Sequence, residues 1–198
     1  MLLEKLKNYH LILATKSPRR HQLMMDSGFQ FDIRIPEGIE ENYPDDLKIE
    51  EVPEYLAELK ASWFLNKLNV NEIVISADTI VICRKKILGK PLHRNEAISM
   101  LQTLRGKSHT VITGVCIMSK EKKKLFSSFS TVCFSNFSDE EISFYVDKFK
   151  PYDKAGSYGA QEWIGYIGME KIEGSFFNVM GLPVQQLYLE LEKFIEDI

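Results

Sequence analysis

The sequence predicts an α/β or α+β fold built on a mixed sheet, and three observations carry that expectation. Long apolar, β-branched runs such as "NEIVISADTIVIC" and "SHTVITGVCIMS" read as strands. Amphipathic segments with helical spacing lie between them, but strands and helices do not alternate strictly, which argues against an all-parallel sheet. The chain has 198 residues, 44% of them apolar, enough for one large domain, or one domain in two lobes, with a real core.

In chain order, "LILATKSPRRHQLMMDSG" reads as a strand over Leu11 to Ala14, a polar turn and a helix. Ser17 stands at its N-cap, Pro18 in its first turn and Gly28 at its stop. "FQFDIRIPEGIEENYPDD" reads as a strand and an acidic loop. In "EEVPEYLAELKASWFLNKLN", Leu56, Leu59, Trp63, Phe64 and Leu68 mark a helix face. "NEIVISADTIVICRKKILGKP" is a long strand, a tight basic turn and a short strand, and "NEAISMLQTLRG" a helix ended by Gly106. "SHTVITGVCIMS" and "LFSSFSTVCFSNF", joined through "KEKKK", predict an antiparallel hairpin. Ser138 and Glu141 form a capping box at the start of "SDEEISFYVDKF". The glycine-rich stretch 151–181 reads as loop and short strands, and "LPVQQLYLELEKFIED" as a closing helix. No repeat, linker or low-complexity tract interrupts this order.

Composition excludes several classes. Basic and acidic residues number 25 and 28, for a net charge of −3, and no basic stripe is present, so nucleic-acid binding is not expected. No apolar run approaches the length of a membrane span, and the N-terminus lacks the pattern of a signal peptide. Cys83, Cys116 and Cys133 are far apart in apolar runs. They read as three buried thiols in a reducing cytoplasm, not as a zinc site. His10, His21, His93 and His109 are scattered and read mostly as surface or boundary residues, with His21 close to a pair of arginines.

That pair, Arg19 and Arg20, falls in the first turn of a helix, where the dipole disfavours cations by about 0.3–1 kcal/mol. Free N–H groups and two guanidinium forks together invite an anion, with Lys16 and Ser17 as further donors; the plainer alternative is a solvated first turn. Asp78 interrupts the most apolar strand of the chain. Either it faces water at a bulge or edge, or it is a carboxylate held rigidly as general base or metal ligand. Glu40 and Glu41 on the acidic loop, Lys60 on a helix and Lys90 in "GKP" are individually ordinary. Cations beside an anion site, with carboxylates able to hold Mg²⁺ or Mn²⁺, are nonetheless the parts of phosphoryl-transfer chemistry. No GxxxxGK[ST], GxGxxG or Ser–His–Asp pattern is present.

Taken in order, "LILATKSPRRHQL", "IEE", "LAELKA", "ISADTIV", "ILGKP", "LRGKSHTVITGV", "DKAGSYGAQ" and "IEGSFFNVMGLP" resemble the Maf family of nucleoside triphosphate pyrophosphatases, from about residue 10 to the last helix. The resemblance implies a mixed twisted sheet flanked by helices, two lobes around a central cleft (a Maf/ITPase-like fold), a single domain over 1–198 and often a homodimer. It implies attack of water on the α-phosphate of a nucleoside triphosphate, releasing the monophosphate and pyrophosphate, with a divalent cation, Mg²⁺ or Mn²⁺. Carried over, Asp78 is the catalytic base and a metal ligand, Glu41 binds or orients the metal, and Ser17, Arg19, Arg20, Lys60 and Lys90 meet the phosphates. Arg19, Thr79 and Gln161 match the family's dTTP/UTP pyrophosphatase branch. The branch acting on 7-methyl-GTP is the alternative, and a regulator of septum formation that binds nucleotide without hydrolysing it is another. Two positions depart from the family pattern: Gln22 stands for the usual glutamate and Lys16 for a usually small residue.

Overall fold

The computed structural model describes residues 1–196. Along the chain run α1 (Leu2–Lys5), β1 (His10–Leu13), α2 (Pro18–Asp26), β2 (Phe31–Ile33), α3 (Val52–Ser62), β3 (Glu72–Cys83) and β4 (Lys86–Leu88). There follow α4 (Arg94–Leu104), β5 (Ser108–Met118), β6 (Lys123–Phe134), α5 (Asp139–Phe149), α6 (Trp163–Gly168), β7 (Met169–Glu173), α7 (Phe176–Met180) and α8 (Val184–Glu196). The sheet has the order β2-β1-β3-β5-β6-β7, with β4 paired to β3. It is mixed as expected: β1 runs parallel to β2 and to β3, whereas β3–β4 and β6–β7 are antiparallel. The chain divides into two compact units, one of residues 1–78, 113–128 and 181 onward, the other of 79–112 and 129–180.

In the first unit, β1, the residue after it and the N-terminal half of β3 supply an apolar face of Ile12, Ala14 and Val74. Against it pack Ala57 and Ala61 of α3, then Phe64 and Leu68. Each large side chain in such a place contributes about 1.5–3 kcal/mol by leaving water. Two contacts fix α3. Gly114 of β5 lies so close to its start that a Cβ there would sit 2.2 Å from the Glu54 nitrogen, and the buried Ser76 hydroxyl of β3 donates to the Ala57 carbonyl at 2.5 Å. The helix is shorter than its apolar spacing predicts. Phe64 N–H bonds back to the Ala61 carbonyl, three residues behind, and Lys67 N–H in turn to the Phe64 carbonyl, which tightens the chain into a 3₁₀ turn at Leu65–Lys67. Trp63, Phe64 and Leu68 thus follow the helix and do not extend it. The short α1 has no counterpart in the sequence reading: four residues are too few for a period to show, and it is anchored by buried Leu2. Helix α8 is present as expected; Asp197, which the sequence includes in it, lies outside the described residues.

In the second unit, α4 and α5 pack their buried faces with Val81, Val111, Val132 and Phe134. The basic turn between β3 and β4 is two residues long, Arg84 and Lys85, both at positive φ (51° and 63°), which matches the twist of paired strands. The Ser138–Glu141 capping box forms, with both reciprocal bonds present. The stretch 151–181 is richer in helix than expected: α6 and α7 are too short to show periodicity among its glycines. Two local readings are corrected. His109 is buried, because His109, Phe134 and Tyr158 stack edge to face in this core. Cys133 is only partly buried, beside the Ser108 hydroxyl at 3.1 Å, whereas Cys83 and Cys116 are buried as expected.

Candidate functional site

The residues singled out by the sequence divide between the units. Ser17, Arg19, Arg20, Glu41, Lys60 and Asp78 belong to the first. Here β1 ends at Leu13, and a four-residue turn delivers the chain to the start of α2. The turn is pinned by Thr15, whose hydroxyl accepts from the Ser17 N–H at 3.1 Å and from Arg20 Nη1 at 3.3 Å. The Thr15 carbonyl lies 2.9 Å from His21 Nε2. Ser17 is the N-cap residue, but its side chain makes no capping bond to the helix.

The two arginines of the first turn differ. Arg20 is docked on backbone: Nε donates to the Gly181 carbonyl at 2.7 Å and Nη1 to the Ala77 carbonyl at 2.9 Å. The helix-start position unfavourable to a cation is thus offset by carbonyl oxygens. Burial lowers the Arg20 guanidinium from its ordinary value, and Asp78, followed by Glu41, pulls it back up. Arg19 acts on it in the opposite sense, as a like charge nearby. Arg19, Arg20, Glu41 and Asp78 therefore share one electrostatic neighbourhood.

Lys60 completes it. Its position on α3, three residues after Ala57, puts it on the face clamped to β3. Lys60 Nζ lies 2.5 Å from Asp78 Oδ1 and 3.3 Å from Glu41 Oε2. The Lys60 and Asp78 side chains are only 12% and 13% exposed, Glu41 49%. Asp78 is thus not at a solvated edge. It is a partly buried carboxylate on a strand, paired with an ammonium. Glu40, its neighbour on the loop, accepts from Asn42 and has no ion pair among the described residues.

Asp78 and Glu41 converge on a single cation, the Lys60 ammonium. Two hard carboxylate donors around one positive charge suit Mg²⁺ or Mn²⁺, which keep several waters and need few protein ligands. Among the described residues no three His, Cys, Asp or Glu side chains form a larger metal cluster.

Thr79, Lys90 and Gln161 belong to the second unit. Thr79 follows Asp78 along β3. Lys90 is exposed in the turn after β4. That turn is tied to the loop preceding Gln161, since the Gly156 N–H donates to the Gly89 carbonyl at 3.0 Å. Gln161 is partly buried, and its Oε1 is fully buried with no hydrogen-bond partner. An amide oxygen in that condition is costly unless something else completes it.

Sequence reasoning missed Thr15 and Gly181. Thr15 is visible as a hydroxyl residue beside the predicted turn. Gly181 acts through its carbonyl; its φ of 111° calls for glycine, but that letter alone does not point to Arg20.

The chain matches the family model described as "Maf-like protein" over residues 10–194. A dTTP/UTP pyrophosphatase of Parabacteroides distasonis is 52% identical over 98% of this chain and 100% of that protein. Another, of Phocaeicola vulgatus, is 50% identical over 97% and 100%. Among solved structures, a HAM1 protein from Coxiella burnetii has a TM-score of 0.47 at 13% identity, over 93% of this chain and 99% of that one.

Proposed function

This chain belongs to the Maf family, and on that premise we propose that it is a nucleoside triphosphate pyrophosphatase that hydrolyses dTTP and UTP, clearing excess or non-canonical nucleotides. Relatives about half identical over their whole length are named for that activity. The observation in the molecule that carries the reading is the Asp78–Lys60–Glu41 cluster: a carboxylate fixed on a rigid strand, aimed by an ammonium 2.5 Å away, beside a second carboxylate.

In this reading Asp78 is the general base. It takes a proton from the water that attacks the α-phosphorus. The bond from that phosphorus to the oxygen bridging to the β-phosphate breaks, and pyrophosphate leaves with the bridging oxygen. Nucleoside monophosphate remains. Lys60 orients the carboxylate, and Ser17, Arg19, Arg20 and Lys90 bind the phosphates. Fixed cations lower the barrier because negative charge grows on the leaving oxygen in the transition state. A Mg²⁺ or Mn²⁺ ion held by Asp78 and Glu41 would supply further neutralisation of phosphate charge. Thr79 and Gln161, with Arg19, select the pyrimidine base; the unpartnered Gln161 oxygen supports this, since the N3–H of uracil or thymine is the donor it lacks.

The test is pyrophosphate release from a panel of dTTP, UTP, CTP, ATP, GTP and 7-methyl-GTP with Mg²⁺ or Mn²⁺. dTTP and UTP should lead in kcat/KM; a lead for 7-methyl-GTP would reassign the base preference but leave the reaction. A cytoplasmic setting and a homodimer belong to the same proposal, and light scattering on the purified protein checks the second.

A further inference from the structure

The second unit contains a buried polar network that the reaction does not call on. Tyr145 of α5 is fully buried. Its hydroxyl donates to Glu162 Oε2 and accepts from the Gly159 N–H at 3.0 Å. The other oxygen of Glu162, Oε1, lies 3.0 Å from Lys154 Nζ, and Lys154 also meets Asp153 at 2.8 Å. Lys154 is 9% exposed and Glu162 19%. The Glu162 backbone closes the same loop, since its N–H donates to the Gly159 carbonyl at 3.1 Å. Gly159 has no side chain to spare: a Cβ there would lie 2.7 Å from the Glu162 carboxyl carbon.

A cluster of this kind is a poor way to gain stability. Taking an ammonium and a carboxylate out of water costs free energy that apolar packing of the same volume would not. What it provides is direction. One carboxylate is held by a phenol and an ammonium, and both anchors bracket residues 154–162. Gln161 is the neighbour of Glu162 in the chain and lies two residues from Gly159, so its backbone has little freedom. That constraint accounts for the buried Gln161 oxygen that lacks a partner. In a loose loop the amide would turn to water and satisfy itself. Held in place, it stays unsatisfied until a ligand donor arrives, and a base without that donor is penalised.

We propose that Tyr145, Glu162 and Lys154 are positioning residues that hold the Gln161 amide in its buried place and thereby set the preference for pyrimidine nucleotides. The proposal rests on the reading of Gln161 as the residue that meets the base. Burial and the Glu162 carboxylate both raise Tyr145 above the ordinary tyrosine value, so its hydroxyl remains a donor throughout the working pH range.

The experiment compares kcat and KM for dTTP and CTP, whose N3 carries no proton, in the wild-type protein, Tyr145→Phe, Glu162→Gln, Gln161→Ala and the double variant Tyr145→Phe/Gln161→Ala. Tyr145→Phe should lower the dTTP-over-CTP ratio of kcat/KM about tenfold, with the loss in KM for dTTP and kcat little changed. Glu162→Gln, which keeps the shape and one acceptor, should lower the ratio less. It carries the same test should Tyr145→Phe fail to fold. The double variant should be no less selective than Gln161→Ala alone, because the network acts only through that amide. A wild-type ratio retained by a folded Tyr145→Phe or Glu162→Gln overturns the proposal and leaves the base assignment standing. Losses that add in the double variant also overturn it. A wild-type protein with no preference for dTTP overturns the assignment of Gln161, and this proposal with it.

Discussion

Lys60 and Lys154 are almost equally buried, and each meets two carboxylates, yet their surroundings differ. Around Lys154 the network closes on itself: one oxygen of Glu162 goes to the ammonium, the other to Tyr145, and Tyr145 in turn takes a backbone N–H. Around Lys60 it stays open. Asp78 comes from a strand and Glu41 from a loop 37 positions away in sequence, and Glu41 remains 49% exposed. A closed network holds a shape. An open one can exchange partners with an incoming ligand. Burial and charge alone do not distinguish the two, since Asp153 beside Lys154 is 55% exposed; the phenol and backbone N–H that fix Glu162 do.

The contrast can be broken most sharply at Asp78. Asp78→Asn keeps the volume and the contact with Lys60 but removes the base, and should slow dTTP hydrolysis by roughly 10²–10⁴ without unfolding the protein. Pyrophosphate release together with a thermal melt checks both halves of that statement. Lys60→Met should reduce kcat/KM by on the order of 10² for every nucleotide alike, since the carboxylate it orients serves every substrate. Lys154→Met should do the reverse. It leaves a buried carboxylate without its ion pair and should cost stability, about 3 kcal/mol or roughly 6–12 °C in Tm, with kcat largely retained. If the two lysine variants behaved alike, the distinction between open and closed networks would fall. A smaller effect is expected of Gln161→Ala, which should lower selectivity for dTTP over CTP about tenfold and leave the rate at saturation nearly unchanged.

A pH-dependent effect, absent at neutral pH, sharpens the comparison from the structural side. His109 is buried with Nε2 2.7 Å from the Tyr158 hydroxyl, and its Nδ1 has no partner among the described residues. Burial lowers its pKa from 6.5 to about 4. The folded protein therefore refuses a proton that the unfolded chain accepts. Above pH 6.5 neither state binds it, and this group makes stability independent of pH. As pH falls from 6.5 towards 4 stability drops, by up to about 3 kcal/mol, and then levels. His109→Gln should flatten that part of the profile of Tm against pH, while turnover at neutral pH stays near the wild-type value.

How much of this was legible in the sequence depends on the range of the interaction. The β5–β6 strands, the Arg84–Lys85 turn and the Ser138–Glu141 cap are written in adjacent residues and are found as read. Asp78 is legible because it offends its own strand. The burial of His109 is not, because its partner Tyr158 is 49 residues away and nothing local marks the histidine as apolar in setting. Glu162 and Lys154 look like surface charges until α5 brings Tyr145 against them. Helices α6 and α7 are too short to outweigh the glycines around them. Arg20 stands out in the sequence by its place at a helix start, but the carbonyls that hold it leave no trace in composition.

One of those carbonyls bears on how the protein is made. Arg20 and Gly181, joined by a 2.7 Å bond, are 161 residues apart. The first unit is assembled from three stretches of chain, the last beginning at Gly181. A ribosome that has released residues 1–180 has delivered every side chain assigned to the reaction, but not the anchor of Arg20 or the buried face of α8, with Leu187, Leu191 and Phe194. Domains gain their packing as units during synthesis. A chain stalled before Gly181 is therefore expected to be inactive although its chemistry is complete, and hydrolysis begins only once translation has passed that point.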